Sequence, residues 1–97
     1  MAGEHLFIIT YDIANARRWR RVFKMLHGYG EWMQLSVFQC RLSRRRRVEL
    51  ETELRNLLKN GEDHVLVIDV GPAEKVELAI QSLGKTFSKV ERRATVI

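Results

Sequence analysis

Leu6, Phe7, Ile8 and Ile9 stand in an unbroken apolar row and lead into Thr10 and Tyr11, which predicts a strand over residues 5–12. Continuity of this kind, without alternation, implies that both faces of the strand are covered. The period then changes. Trp19, Val22, Phe23 and Leu26 recur at helical spacing and predict a helix over 16–27, capped by Asn15, with Arg17, Arg20, Arg21 and Lys24 on its outer side. Gly28 and Gly30 are expected to end it through the left-handed conformation that glycine adopts freely. Residues 31–42 are strand material, with Met33, Leu35 and Val37 alternating against Trp32, Gln34, Ser36, Phe38 and Cys40; they make one long strand or two short ones broken near 34–36. Ser43 caps a second helix over 44–59 whose core stripe is Leu50, Leu54, Leu57 and Leu58, and Asn60-Gly61 stops it. Residues 64–70 form another strand. Gly71-Pro72 is expected to open a third helix, with Val76, Ala79, Ile80 and Leu83 as its buried face and Gly84 at its end. Residues 86–90 and 94–97 read as short terminal strands.

Strands and helices therefore alternate within one domain over residues 1–97, with no linker or repeat. The class is α/β (α+β). If residues 31–42 hold two strands, the order is that of a ferredoxin-like βαββαβ sheet, with 71–97 as a C-terminal extension carrying the additional helix and strand. Helices would cover one face of the sheet and leave the other bare. A chain this short gains from covering such a face, so a symmetric homodimer is expected.

Charge sharpens the picture through its distribution. Between Asp12 and Arg47 there are ten cations and two acids, whereas the remainder carries seven cations and ten acids. Such segregation sets up a positive field over one region and points to a polyanionic partner. Cys40 is the sole cysteine, so neither an intrachain disulfide nor a cysteine zinc site is available, and a reducing compartment is expected. The opening Met-Ala-Gly-Glu-His does not resemble a secretory leader, and no apolar run reaches the length of a membrane span. A cytoplasmic protein with no membrane partner is the expectation.

Asp12 is the most informative position for chemistry, because it ends an apolar strand and precedes the turn into a cationic helix. Its carboxylate suits a hard cation such as Mg²⁺, which takes oxygen ligands and often uses one or two carboxylates beside substrate phosphates. The competing reading is a turn cap, or a pairing with Arg17 or Arg18. One carboxylate is a poor metal site, but a two-fold axis would double it. Arg44, Arg45, Arg46 and Arg47 stand in the first turn of their helix, where the macrodipole disfavours cations, so a compensating anion is expected there and nucleic-acid phosphate would serve. Arg17, Arg18, Arg20 and Arg21 form a second cluster next to Asp12. Contacts of this kind position a backbone without reading sequence. Trp19 is expected to pack in the core; Trp32 and Phe38 share a strand face suited to dimer packing or base stacking. His5, His27 and His64 read as surface or edge residues, and no side chain stands out as a general base.

These residues together resemble a known family. Tyr11-Asp12-Ile13 at the end of the first strand, Arg17-Arg18 opening the helix, Tyr29-Gly30 after it, Gln34-Leu35-Ser36-Val37-Phe38 in the next strand and Glu62-Asp63 before the last are similar to the CRISPR-associated protein 2 pattern, over roughly residues 5–70. Trp32-Met33 and Gln39 depart from it, and residues 71–97 match it poorly. The resemblance implies a ferredoxin-like homodimer that acts in spacer acquisition beside the CRISPR-associated integrase, protein 1, and binds double-stranded DNA. It also implies an endonuclease activity on single-stranded RNA or double-stranded DNA, dependent on Mg²⁺ or Mn²⁺ shared across the dimer, with Asp12 of both protomers as the ligand. Arg17, Arg18, Ser36 and Phe38 match the family's further site positions, and Arg17, Arg18, Arg20, Arg21, Arg44, Arg45, Arg46 and Arg47 would carry nucleic-acid binding. The alternatives are a non-catalytic nucleic-acid-binding scaffold and an RNA-recognition-type module; the second lacks the Lys/Arg-Gly-aromatic run such a module carries.

Overall fold

The computed structural model describes residues 3–84. Its elements follow one another as β1 (His5–Asp12), α1 (Ala16–His27), β2 (Glu31–Gln34), β3 (Val37–Leu42), α2 (Arg44–Leu57) and β4 (His64–Pro72). The strands form one antiparallel sheet in the order β2-β3-β1-β4. This is the ferredoxin-like βαββαβ arrangement, and residues 31–42 hold two strands. Trp32 Nε1 donates to the Leu35 carbonyl at 2.9 Å and closes the turn between them.

Alternate residues of β1 face opposite ways. Phe7, Ile9 and Tyr11 join Phe38, Cys40 and Leu42 of β3 and the stripes Val22 and Leu26 of α1 and Leu50 and Leu54 of α2 in a single buried cluster. Both helices start where expected: Asn15 Oδ1 accepts from the Arg18 amide at 3.0 Å, and Ser43 Oγ from the Arg46 amide at 3.1 Å. α2 stops at Leu57, a little short of the expected end.

The glycines after α1 work differently from the expectation. Gly28 has φ −78, an ordinary right-handed value. At Gly30 the need is for space, because an added Cβ would lie 2.3 Å from the Gln39 carbonyl oxygen and 2.4 Å from Cys40 Sγ. That close approach seats the start of β2 on β3.

The third helix is absent. Gly71 and Pro72 belong to β4, where Gly71 adopts φ +131 opposite a register shift between Leu6 and Phe7, so the pair marks a bulged strand end. Beyond a turn at 73–75, residues 76–83 carry no regular secondary structure; Val76 and Leu78 are half-buried, while Ile80 and Leu83 are exposed. Val76, Leu78 and Ile80 also fit a period of two, while the helical reading drew on Val76, Ala79, Ile80 and Leu83 behind a Gly-Pro pair that the strand uses instead. The expected strands at 86–90 and 94–97 lie outside the described residues. No helix among the described residues is long and apolar enough to cross a membrane.

Candidate functional site

Among the described residues, no helix covers the other face of the sheet. Ile8, Thr10 and Asp12 of β1 stand in register with Ile68, Leu66 and His64 of β4 and point to this side, away from the core cluster. Leu66, Ile68 and Val70 remain 47%, 45% and 36% exposed, unusual for a contiguous apolar row. Asp12 ends that row. Its side chain is exposed, and no hydrogen bond or ion pair engages its carboxylate among the described residues. The alternatives raised by the sequence, a turn cap or a pairing with Arg17 or Arg18, are therefore not what the fold uses it for. A free carboxylate suits a hard cation, yet the described residues of one chain hold no group of three acidic, histidine or cysteine side chains that could bind a metal. Within one chain the described residues at this end offer Mg²⁺ a single carboxylate, and a second copy across this face would bring another.

Arg18 is committed elsewhere. Its Nε donates to Asp63 at 2.7 Å and its Nη2 to Glu62 at 3.0 Å. Asp63 also accepts from the Ala14 amide at 3.1 Å and the Lys59 amide at 2.9 Å, and its side chain is closed off from solvent. One carboxylate thus joins the loop after Asp12, the first turn of α1 and the approach to β4. The Arg18 guanidinium, with the two amides behind it, pulls the Asp63 carboxyl down to about 2. Such a group stabilises the fold in full above the ordinary carboxylate range, and the contribution disappears as pH falls toward 2. Asp63→Asn is accordingly expected to lower Tm at pH 7 by about 10 °C. Its melting temperature should then decline less steeply than that of the native protein between pH 4 and 2. Parallel declines in a pH series of thermal melts would show that Asp63 is not the group responsible.

Ser36 and Phe38 lie near the same end but face inward. The Ser36 carbonyl accepts from the Tyr11 amide at 3.1 Å and its hydroxyl from Trp19 Nε1 at 2.9 Å. Phe38 is fully buried, with Tyr11, Phe23 and His27 rings around it, and forms the wall behind this end of the sheet. Trp19 stacks on Phe23 at 5.1 Å between ring centres, as expected of a packing residue. Burial pushes the Tyr11 hydroxyl up to about 12, opposed by the neighbouring Ser36 hydroxyl, and no well-formed hydrogen bond reaches it. Between the strands, Leu35 holds φ +37 with its side chain 76% exposed. A left-handed leucine costs about 1–2 kcal/mol, and it stands in the turn that the Tyr11 amide anchors to the end of β1.

The two arginine clusters differ in kind. Arg45 and Arg46 pair with Glu49 at 3.6 and 2.9 Å, and Arg47 with Glu51 at 3.0 Å. Arg46 also lies 4.2 Å above the Tyr29 ring and donates to the Gly28 carbonyl, fastening α2 to the end of α1. The anion expected to compensate this run is thus supplied by the next turn of its own helix, with Arg44 the member that pairs with no described residue. On α1 the reverse holds. Arg17, Arg20, Arg21 and Lys24 are exposed and make no ion pair with any described residue. Their i, i+3, i+4, i+7 spacing is one helix face. At 1.5 Å per residue the stripe runs about 10 Å, matching roughly three phosphates of a strand. Arg21 and Lys24 also line an open groove of about 500 Å³ between α1 and α2 with Met25, Glu53, Asn56 and Leu57.

Cys40 is free and buried, its thiol pushed up to about 12 by burial and by the Glu31 carboxylate, which makes it a packing residue.

The family model described as CRISPR associated protein Cas2 matches residues 5–77. The chain belongs to the Cas2 family. A Geobacter sulfurreducens protein named CRISPR-associated endoribonuclease Cas2 is 52% identical over 94 residues, covering 97% of this chain and 99% of its own length. A Rhodospirillum rubrum protein named CRISPR-associated endoribonuclease Cas2 1 is 53% identical over 95 residues, covering 98% and 93%. Both alignments run well past residue 70, so the chain's Cas2 likeness extends into the segment whose sequence pattern looked foreign. Among solved structures, a Cas2 crystal structure superposes with a TM-score of 0.73 at 35% identity, covering 91% of this chain and 95% of that one. A hypothetical protein from Thermus thermophilus gives 0.75 at 30%, covering 89% and 100%.

Asp63, His64 and Leu35 are the residues of this Cas2 chain whose roles sequence reasoning passed over. Glu62-Asp63 was part of the family pattern but carried no signal of its partners. His64 gains interest only from the register that sets it opposite Asp12.

Proposed function

We propose that this Cas2 chain is a CRISPR-associated nuclease that hydrolyses phosphodiester bonds as a homodimer, with RNA as the substrate class suggested by its relatives' names and double-stranded DNA bound in spacer acquisition. The observation that carries this reading is the position of Asp12: unpartnered among the described residues, at the end of an apolar sheet face that no described helix covers. Pairing two such faces about a dyad removes Leu66, Ile68 and Val70 from water and brings two Asp12 carboxylates together. Residues 76–80, with their two-residue apolar period, are suited to add along the partner's sheet edge.

In that arrangement the two Asp12 carboxylates would hold Mg²⁺ together with phosphate oxygens and water. Bound there, the metal lowers the pKa of water and offsets charge developing on the phosphate. The chain's own contribution is placement. The Arg17, Arg20, Arg21 and Lys24 stripe holds the backbone by charge, and the Asp63 cluster keeps the loop after Asp12 in place. Partnership with the CRISPR-associated integrase rests on family membership. The non-catalytic scaffold keeps the same stripe and differs only at Asp12, so metal-dependent cleavage separates the two readings.

Ile68→Asp tests the dimer on which the reading stands. A carboxylate on that face must be desolvated in the paired form, so the variant is expected to sediment as a monomer at micromolar concentration, where the native chain is a dimer, and to lose metal-dependent cleavage. A native chain that stays monomeric, or a variant that still pairs and cleaves, would refute it.

A further inference from the structure

His64 opens β4 directly opposite Asp12, the last residue of β1. Directly opposed residues of an antiparallel pair point to the same face with Cβ atoms about 4.5–5.5 Å apart. Both side chains are exposed, and neither imidazole nor carboxylate has another partner among the described residues. They are also not bonded to each other: no hydrogen bond or ion pair joins them. The other two histidines are occupied differently, His5 with Asp69 at 2.9 Å and His27 edge-on to Phe23 and Phe38. His64 is the histidine left with its ring open beside the carboxylate. Space between a carboxylate and an imidazole on neighbouring strands is what a shared ion fills, with both ligands on rigid elements.

We propose that His64 is a metal ligand alongside Asp12, so that the centre assembled across the dyad is a mixed carboxylate and imidazole site with two donors of each kind. The inference rests on the dimeric Asp12 reading above and adds to it the identity of the second donor. Its chemical consequence is metal choice. Mg²⁺ is served by oxygen alone, whereas an imidazole nitrogen favours a first-row transition ion over Mg²⁺. A pair of imidazoles therefore tilts the site toward Mn²⁺ while leaving Mg²⁺ usable. His64 has no part in the core cluster, so its replacement leaves the fold intact.

The full-length chain holds three histidines, so their ring protons can be followed individually by NMR while Mn²⁺ is added below one ion per dimer. The His64 resonance is expected to broaden well before those of His5 and His27, and Asp12→Asn should abolish the selectivity. In parallel, the native protein should bind Mn²⁺ at least about tenfold more tightly than Mg²⁺, a ratio that falls toward unity in His64→Asn. If one ion per dimer binds through Asp12 but His64 broadens no earlier than the others, the imidazole is not a ligand and this inference fails alone. If Mn²⁺ binding is indifferent to Asp12→Asn, the Asp12 site itself is wrong and both readings fall.

Discussion

Asn in place of Asp12 is expected to lower divalent-metal-dependent cleavage by about 10³-fold, equivalent to roughly 4 kcal/mol of transition-state stabilisation. The size follows from the symmetry of the proposed dimer, in which one substitution would remove two carboxylates from the same centre and leave no acidic ligand in either protomer. The fold should be indifferent, because the Asp12 side chain contacts nothing that holds the core together. Affinity for nucleic acid should hold or rise slightly, since a negative charge leaves the neighbourhood of the phosphates. Cleavage assays with Mg²⁺, run beside binding curves and thermal melts, check all three. Equal cleavage by native and Asp12→Asn protein would remove this residue from the chemistry; a native protein that binds but never cleaves would favour the scaffold.

The second large effect concerns binding. Replacing Arg17, Arg20, Arg21 and Lys24 together by glutamine should weaken duplex DNA binding by about 10²–10³-fold near 100 mM salt, and lower the slope of log affinity against log salt by about 3–4. Among the described residues these four cations have no acid to return to, so their counterions are available for release. Arg45→Gln with Arg47→Gln provides the contrast, because those guanidiniums already rest on Glu49 and Glu51. That pair should cost less than tenfold and barely move the slope. If the two sets of substitutions weaken binding equally, the distinction between free and self-neutralised arginines has no consequence for nucleic acid.

That distinction also marks where the sequence could and could not be read. An unbroken apolar row located β1 and helical spacing located α1, because each admits one pattern and ends at a turn or glycine. Periodicity failed after residue 72, where Val76, Leu78, Ile80 and Leu83 satisfy two periods at once and the Gly-Pro pair served a bulge. Counting arginines located a basic region but could not tell that Glu49 and Glu51, one turn along, would absorb most of the run from Arg44 to Arg47. The resemblance to Cas2 identified Asp12 and Arg18 as site positions, yet gave no hint that Arg18 turns inward to Asp63. Its partner lies 45 residues away, and only the antiparallel placement of β4 beside β1 brings the two into contact.

The Asp63 contacts also bear on when the protein becomes competent during its synthesis. Ala14 and Arg18 receive their anchor from a position 49 and 45 residues further along the chain, just ahead of β4. A nascent polypeptide emerging from the ribosome can fold its first helix and hairpin, but the stretch following Asp12 stays untied until that late carboxylate arrives. Completion of the Asp12 end of the sheet is thereby deferred until residue 63 has been made, and a fragment interrupted before it carries Asp12 without the brace on the loop that follows.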